Sequence, residues 1–81
     1  MKSEKELFEL AKEYALMEMD FENNFLSEFE SDGLKYGMEE IRKVLLEKNY
    51  DIDMFLKYKA LYKKMTVGEY LKFVEHLDKL K

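Results

Sequence analysis

The sequence predicts an all-α fold, a small bundle of three to five helices forming one domain over residues 1–81. Three observations predict it. Proline is absent and glycine occurs only three times, while Glu, Lys, Leu and Met abound, a composition that favours helix throughout. Apolar residues recur at three- and four-residue steps, the period of a helix with one buried face. Two stretches, Ser3-Glu4-Lys5-Glu6 and Thr66-Val67-Gly68-Glu69, have the form of capping boxes that open helices.

The first helix starts at Ser3. Leu7, Leu10, Tyr14, Met17, Phe21 and Phe25 form one stripe, and Phe8, Ala11, Ala15, Leu26 and Phe29 lie beside it. Together they cover about half the helix circumference. That is wider than a single neighbour requires, so the helix is packed on two sides or presents part of this face as an interface. The pattern runs to about Ser31, where Asp32-Gly33 reads as a stop. An unbroken helix of that length would be roughly 43 Å long, against a compact radius of gyration of about 12 Å for a chain this size. The poor helix formers Asn23-Asn24 therefore predict a bend or break. A straight helix is the alternative, and it would favour a dimer.

Gly33 to Gly37 reads as a linker. Met38, Ile41, Val44 and Leu45 carry a short second helix ending near Lys48-Asn49. Asn49-Tyr50-Asp51 makes a turn, and Asp51 or Asp53 caps a third helix with Phe55, Tyr58, Leu61, Tyr62 and Met65. The fourth helix follows Thr66 with Tyr70, Leu71, Val74 and Leu77 on one face. Short connections make successive helices antiparallel or angled neighbours.

Composition narrows the function classes. Cysteine is absent, which excludes disulfides, thiolate nucleophiles and cysteine metal sites and fits a reducing, cytoplasmic setting. The opening MKSEKELFEL lacks the apolar run of a signal peptide, and no apolar stretch is long enough to span a membrane. Residues 1–32 carry ten acids and three lysines, net −7, whereas residues 33–81 are net +3. An asymmetry of this kind bears on partners rather than on fold.

No constellation points to catalysis, a cofactor or a metal. His76 is the lone histidine, near the C-terminus, and Glu75 beside it in sequence points about 100° away on a helix. Asp20-x-Glu22 and Asp51-x-Asp53 resemble the start of a calcium loop. The glycine and glutamate required at positions six and twelve are replaced by Phe25 and Ser31, and by Leu56 and Tyr62.

Two segments stand out. Met17 to Asp32 holds six acids and no base, with Phe21, Phe25 and Phe29 interleaved. The plain account is a solvated acidic face above an aromatic core stripe. Glu18 resists it, because on a continuous helix it falls inside the apolar arc, where an unpaired carboxylate is costly. Either the helix breaks first, or Glu18 pairs with a lysine, or this face meets a partner. The functional reading is a docking surface for a basic region of a larger protein, with Glu18, Asp20, Glu22, Glu28 and Glu30 steering and Phe21 and Phe25 anchoring. Such a module would be a regulator or inhibitor, of the kind phages and mobile elements encode. The second segment is Lys57 to Lys64, in which Lys57, Lys59, Lys63 and Lys64 offer an alternative, sequence-independent contact with nucleic acid. The acidic first helix and this lysine-rich helix would otherwise simply face each other, within one chain or across a homodimer.

Overall fold

The computed structural model describes residues 4–23 and 25–80. Four α-helices account for nearly all of them: α1 (Glu4–Asn23), α2 (Glu28–Glu47), α3 (Ile52–Lys64) and α4 (Val67–Asp78). Among the described residues there is no strand. The all-α expectation holds, and the helix count falls inside the expected range.

The helix ends follow from local chemistry. α1 stops at Asn23, whose side-chain amide turns back to donate to the Met19 carbonyl at 2.9 Å. Of the bend or break expected at Asn23-Asn24, Asn24 lies outside the described residues; α1 ends at Asn23, and residues 25–27 belong to no helix. Ser27 then starts α2 with a capping box. Its hydroxyl oxygen accepts from the Glu30 amide at 3.2 Å, and the Glu30 carboxylate accepts from the Ser27 amide and hydroxyl. Asp51 caps α3 and Thr66-Glu69 closes the box at α4. The Ser3 cap expected for α1 lies outside the described residues.

Two expectations are corrected by this start of α2. The first helix does not reach Ser31, and Gly33 to Gly37 is not a linker but the middle of a 20-residue helix. Two glycines weaken a helix by about 1 kcal/mol each relative to alanine, and they are outweighed here by the capping box and by packing further along. Gly37 sits against Met17, whose sulfur would lie 3.0 Å from an added Cβ, whereas an added Cβ at Gly33 meets nothing within 4 Å. Gly33→Ala is therefore expected to stabilise the domain by roughly 0.5–1 kcal/mol, read as a raised midpoint in thermal or urea denaturation. No gain would mean that residue 33 is not helical in solution.

α2 ends in a Schellman turn. The Tyr50 amide donates to the Leu45 carbonyl and the Asn49 amide to Leu46, with Asn49 at φ 56°, the left-handed position asparagine tolerates better than other side chains. Tyr50 behind it is buried. Burial, reinforced by the Glu6 carboxylate, pushes its hydroxyl up to about 12.

α1 is the centre of the molecule. The other three helices pack mainly on it rather than on one another, α3 most extensively, then α2, then α4. This explains the wide apolar arc of the first helix, whose Leu7, Phe8, Ala11, Tyr14 and Ala15 are all buried. Phe8 is wholly enclosed and lies against the rings of Phe73 (4.8 Å between centroids), Tyr58 (5.6 Å), Tyr70 (6.1 Å) and Tyr62 (6.4 Å). These contacts join α1, α3 and α4 through one aromatic cluster. On the other side, Ile41 and Leu45 of α2 and Phe55 of α3 complete the core. The first turns of α2 contribute nothing to it, since residues 28–33 contain no buried side chain. The molecule is correspondingly elongated, 42 × 31 × 16 Å with a radius of gyration of 13.6 Å, above the ~12 Å of a compact chain of this length.

Candidate functional site: an acidic elbow between α1 and α2

The break after Asn23 and the cap at Ser27 turn the acidic segment into an elbow. Asp20, Phe21 and Glu22 occupy the last turn of α1. Phe25, Leu26 and Ser27 make the connection, and Glu28, Phe29 and Glu30 form the first turn of α2. Phe25 stands at the tip with its ring fully exposed, Phe29 is 87% exposed, and Phe21 is partly covered by the Lys35 ammonium, 5.7 Å from its ring centre.

The charges on the two arms differ in origin. Glu28 and Glu30 lie at the start of α2, where the helix dipole favours acids, and Glu30 is also part of the cap. Asp20 and Glu22 lie at the carboxyl end of α1, where the dipole disfavours negative charge, and no basic residue occupies that last turn. The helix dipole favours the first pair of acids and disfavours the second.

Glu18 does not belong to the elbow. Its carboxylate turns to α3 and makes ion pairs with Lys63 at 3.0 Å and Lys59 at 3.2 Å. Burial alone would raise its pKa. Hydrogen bonds from Lys63 and Lys59, with their charges, outweigh burial and hold the carboxyl below its ordinary range. Of the three resolutions offered for Glu18, the lysine pairing is the one present; the helix does not break first, since α1 continues through Glu18 to Asn23.

That pairing also divides the lysine segment. At 100° per residue, Lys59 and Lys63 lie on one side of α3 and Lys57 and Lys64 on another, about 130° away. The first pair is engaged with Glu18, and the Lys59 ammonium additionally lies 5.2 Å from the Tyr14 ring centre. Arg42, Lys43 and Lys48 are paired with Glu39, Glu40 and Glu6. The structure therefore leaves no continuous strip of free cations along α2 and α3. His76 is exposed, with its ring 6.3 Å from that of Phe73. Among the described residues no group of three His, Asp or Glu is placed to hold a metal ion, and no helix is long and apolar enough to cross a membrane.

Sequence reasoning missed one feature. α2 and α3 diverge from their turn and leave an open groove of about 530 Å³ on α1, bounded by Tyr14, Arg42, Leu46, Ile52, Leu56 and Lys59. Leu46 is 74% exposed there. The signal was in the sequence, because Leu46 lies about 100° off the Leu45 direction and so outside the core stripe of α2.

No protein-family model matches the chain, and no curated protein or solved structure compared with it is significantly similar.

Proposed function

We propose that this chain is a small protein-binding module, a regulator or inhibitor that works in the cytoplasm without catalysis, and that it docks its elbow onto a basic surface of a larger protein. The observation that carries this reading is Phe25, a fully exposed aromatic ring set between two acidic arms. Interfaces draw most of their energy from a few buried aromatic anchors, while surrounding charges speed and orient encounter. A fully exposed phenylalanine flanked by acids on both arms, of which Glu22 stands where the α1 dipole disfavours negative charge, has that form. The partner implied has an apolar pocket bordered by Lys or Arg.

The experiment is capture of partners from the native host with the tagged chain, with and without nuclease, followed by the same capture with variants. D20K/E22K puts cations at the carboxyl end of α1, where the dipole welcomes them. That offsets the loss of the Asp20 carboxylate's own interaction, so the domain is expected to stay folded, checked by its melting temperature, while capture of a stoichiometric basic protein is lost. Phe25→Ala, which touches nothing in the core, is expected to weaken the same complex by about tenfold or more. A complex indifferent to both changes rejects the elbow. Retention that disappears with nuclease transfers the function to nucleic acid.

A further inference from the structure

The outward face of α2 carries a second pattern, independent of the elbow reading. Phe29, Asp32, Tyr36, Glu39, Lys43 and Leu46 are all exposed, with Phe29 at 87%, Tyr36 at 69% and Leu46 at 74%. Their spacing is three, four, three, four, three, the repeat of a helix–helix seam. On the helical wheel this stripe is centred nearly opposite Ile41, the α2 side chain buried against α1. Among the described residues nothing covers it, and the core does not require it.

We propose that this stripe pairs with the same stripe of a second copy, antiparallel, about a two-fold axis crossing α2 between Gly37 and Met38. In that register Phe29 of one copy meets Leu46 of the other, Asp32 meets Lys43, and Tyr36 meets Glu39. Each pair is complementary: apolar with apolar, anion with cation, hydroxyl donor with carboxylate acceptor. A symmetric pairing repeats all three, so every member of the stripe is used. A parallel pairing sets Asp32, Glu39 and Lys43 each against its own copy. Sliding the antiparallel pair by one heptad toward the C-terminus leaves Phe29 and Asp32 without seam partners. The chosen register also brings Phe29 to Leu46, one wall of the α2–α3 groove, which gives both exposed apolar features a common occupant. The two elbows then lie at opposite ends of the pair, about 29 Å apart along the axis.

The test is a charge exchange read by sedimentation equilibrium. The wild-type chain is expected to be a dimer. D32K sets lysine against lysine and K43D sets aspartate against aspartate, so each is expected to raise the dimer dissociation constant by roughly tenfold or more. An equimolar mixture of the two variants is expected to recover a dimer holding one copy of each. Both positions are exposed, and the Lys43–Glu40 pair that K43D gives up is a surface contact of about 0–1 kcal/mol, so helical content by circular dichroism should change little. A wild-type monomer at millimolar concentration, single variants that dimerise normally, or a mixture that fails to pair would each overturn the proposal. None of these substitutions touches Glu22 or Phe25, so failure here leaves the elbow test standing.

Discussion

Replacing Phe8 by alanine is expected to bring the domain close to unfolding. The ring is completely buried and is the shared neighbour of Tyr58, Tyr62, Tyr70 and Phe73, so its removal opens a cavity between α1, α3 and α4 at once. Truncation of a core phenylalanine typically costs about 3–5 kcal/mol. A chain of 81 residues has a total stability on the order of 4–12 kcal/mol, and a loss of this size lowers the midpoint by roughly 15–30 °C. α4 should suffer most, because its packing on α1 is the least extensive of the three and Phe73 and Tyr70 are among its anchors. Phe8→Leu keeps much of the volume and should cost only about 1–2 kcal/mol. Thermal and urea denaturation followed at 222 nm check both. A cost below about 1 kcal/mol for Phe8→Ala would mean that the aromatic cluster is not the centre of the core. The control is Phe25→Ala, which removes the same side chain from a fully exposed site and should stay within about 0.5 kcal/mol of wild type.

The contrast between these two phenylalanines measures how far the sequence could be read. Phe25 lies on the stripe that begins at Leu7 and Phe8 in the group beside it, and periodicity places both within one broad apolar face. For Phe8 that is correct. For Phe25 it fails, because the repeat holds only while the helix holds and α1 ends at Asn23. The break itself was legible in the two asparagines. The restart has its own signal, since Ser27-Glu28-Phe29-Glu30 is the same kind of capping box found at Thr66-Glu69. Gly33 to Gly37 reads as a linker only where glycine outweighs the cap. Helix propensity differs by only about 1 kcal/mol between Gly and Ala, which the packing of Met38, Ile41 and Leu45 readily overcomes. Composition made the acidic segment visible as a candidate site. Tertiary placement sorted its members, turning Glu18 inward to α3 and leaving Asp20, Glu22, Glu28 and Phe25 at the elbow. Of the α2–α3 groove, spacing shows only that Leu46 lies off the core stripe of α2; the groove itself depends on the angle between two helices.

Reversing Glu18 to lysine is expected to be the most damaging charge change in the chain. The Glu18, Lys59 and Lys63 side chains are only 23%, 20% and 31% exposed, so the variant would crowd three cations where one anion now bridges two. Removing one partner of a fully buried pair costs about 3–5 kcal/mol, and an exposed pair contributes about 0–1 kcal/mol. This site lies between those limits, at roughly 1–3 kcal/mol for Glu18→Lys and the lower part of that range for Glu18→Gln. The pH dependence separates the ion pair from simple packing. The folded-state pKa of Glu18 lies below its ordinary value of 4.5, so its contribution to stability is fully present above that value. It is lost as the pH falls through the folded-state pKa, because the unfolded chain binds the proton more readily. Wild type should therefore exceed Glu18→Gln in melting temperature at pH 7, and the gap should narrow as the pH drops below 4.5. A gap that stays constant across that range would show the glutamine to be losing shape rather than charge. No gap at pH 7 would show that α1 and α3 are held by their apolar faces alone. The predicted outcome instead gives Glu18 a structural task, orienting the Lys59 and Lys63 side of α3 against α1.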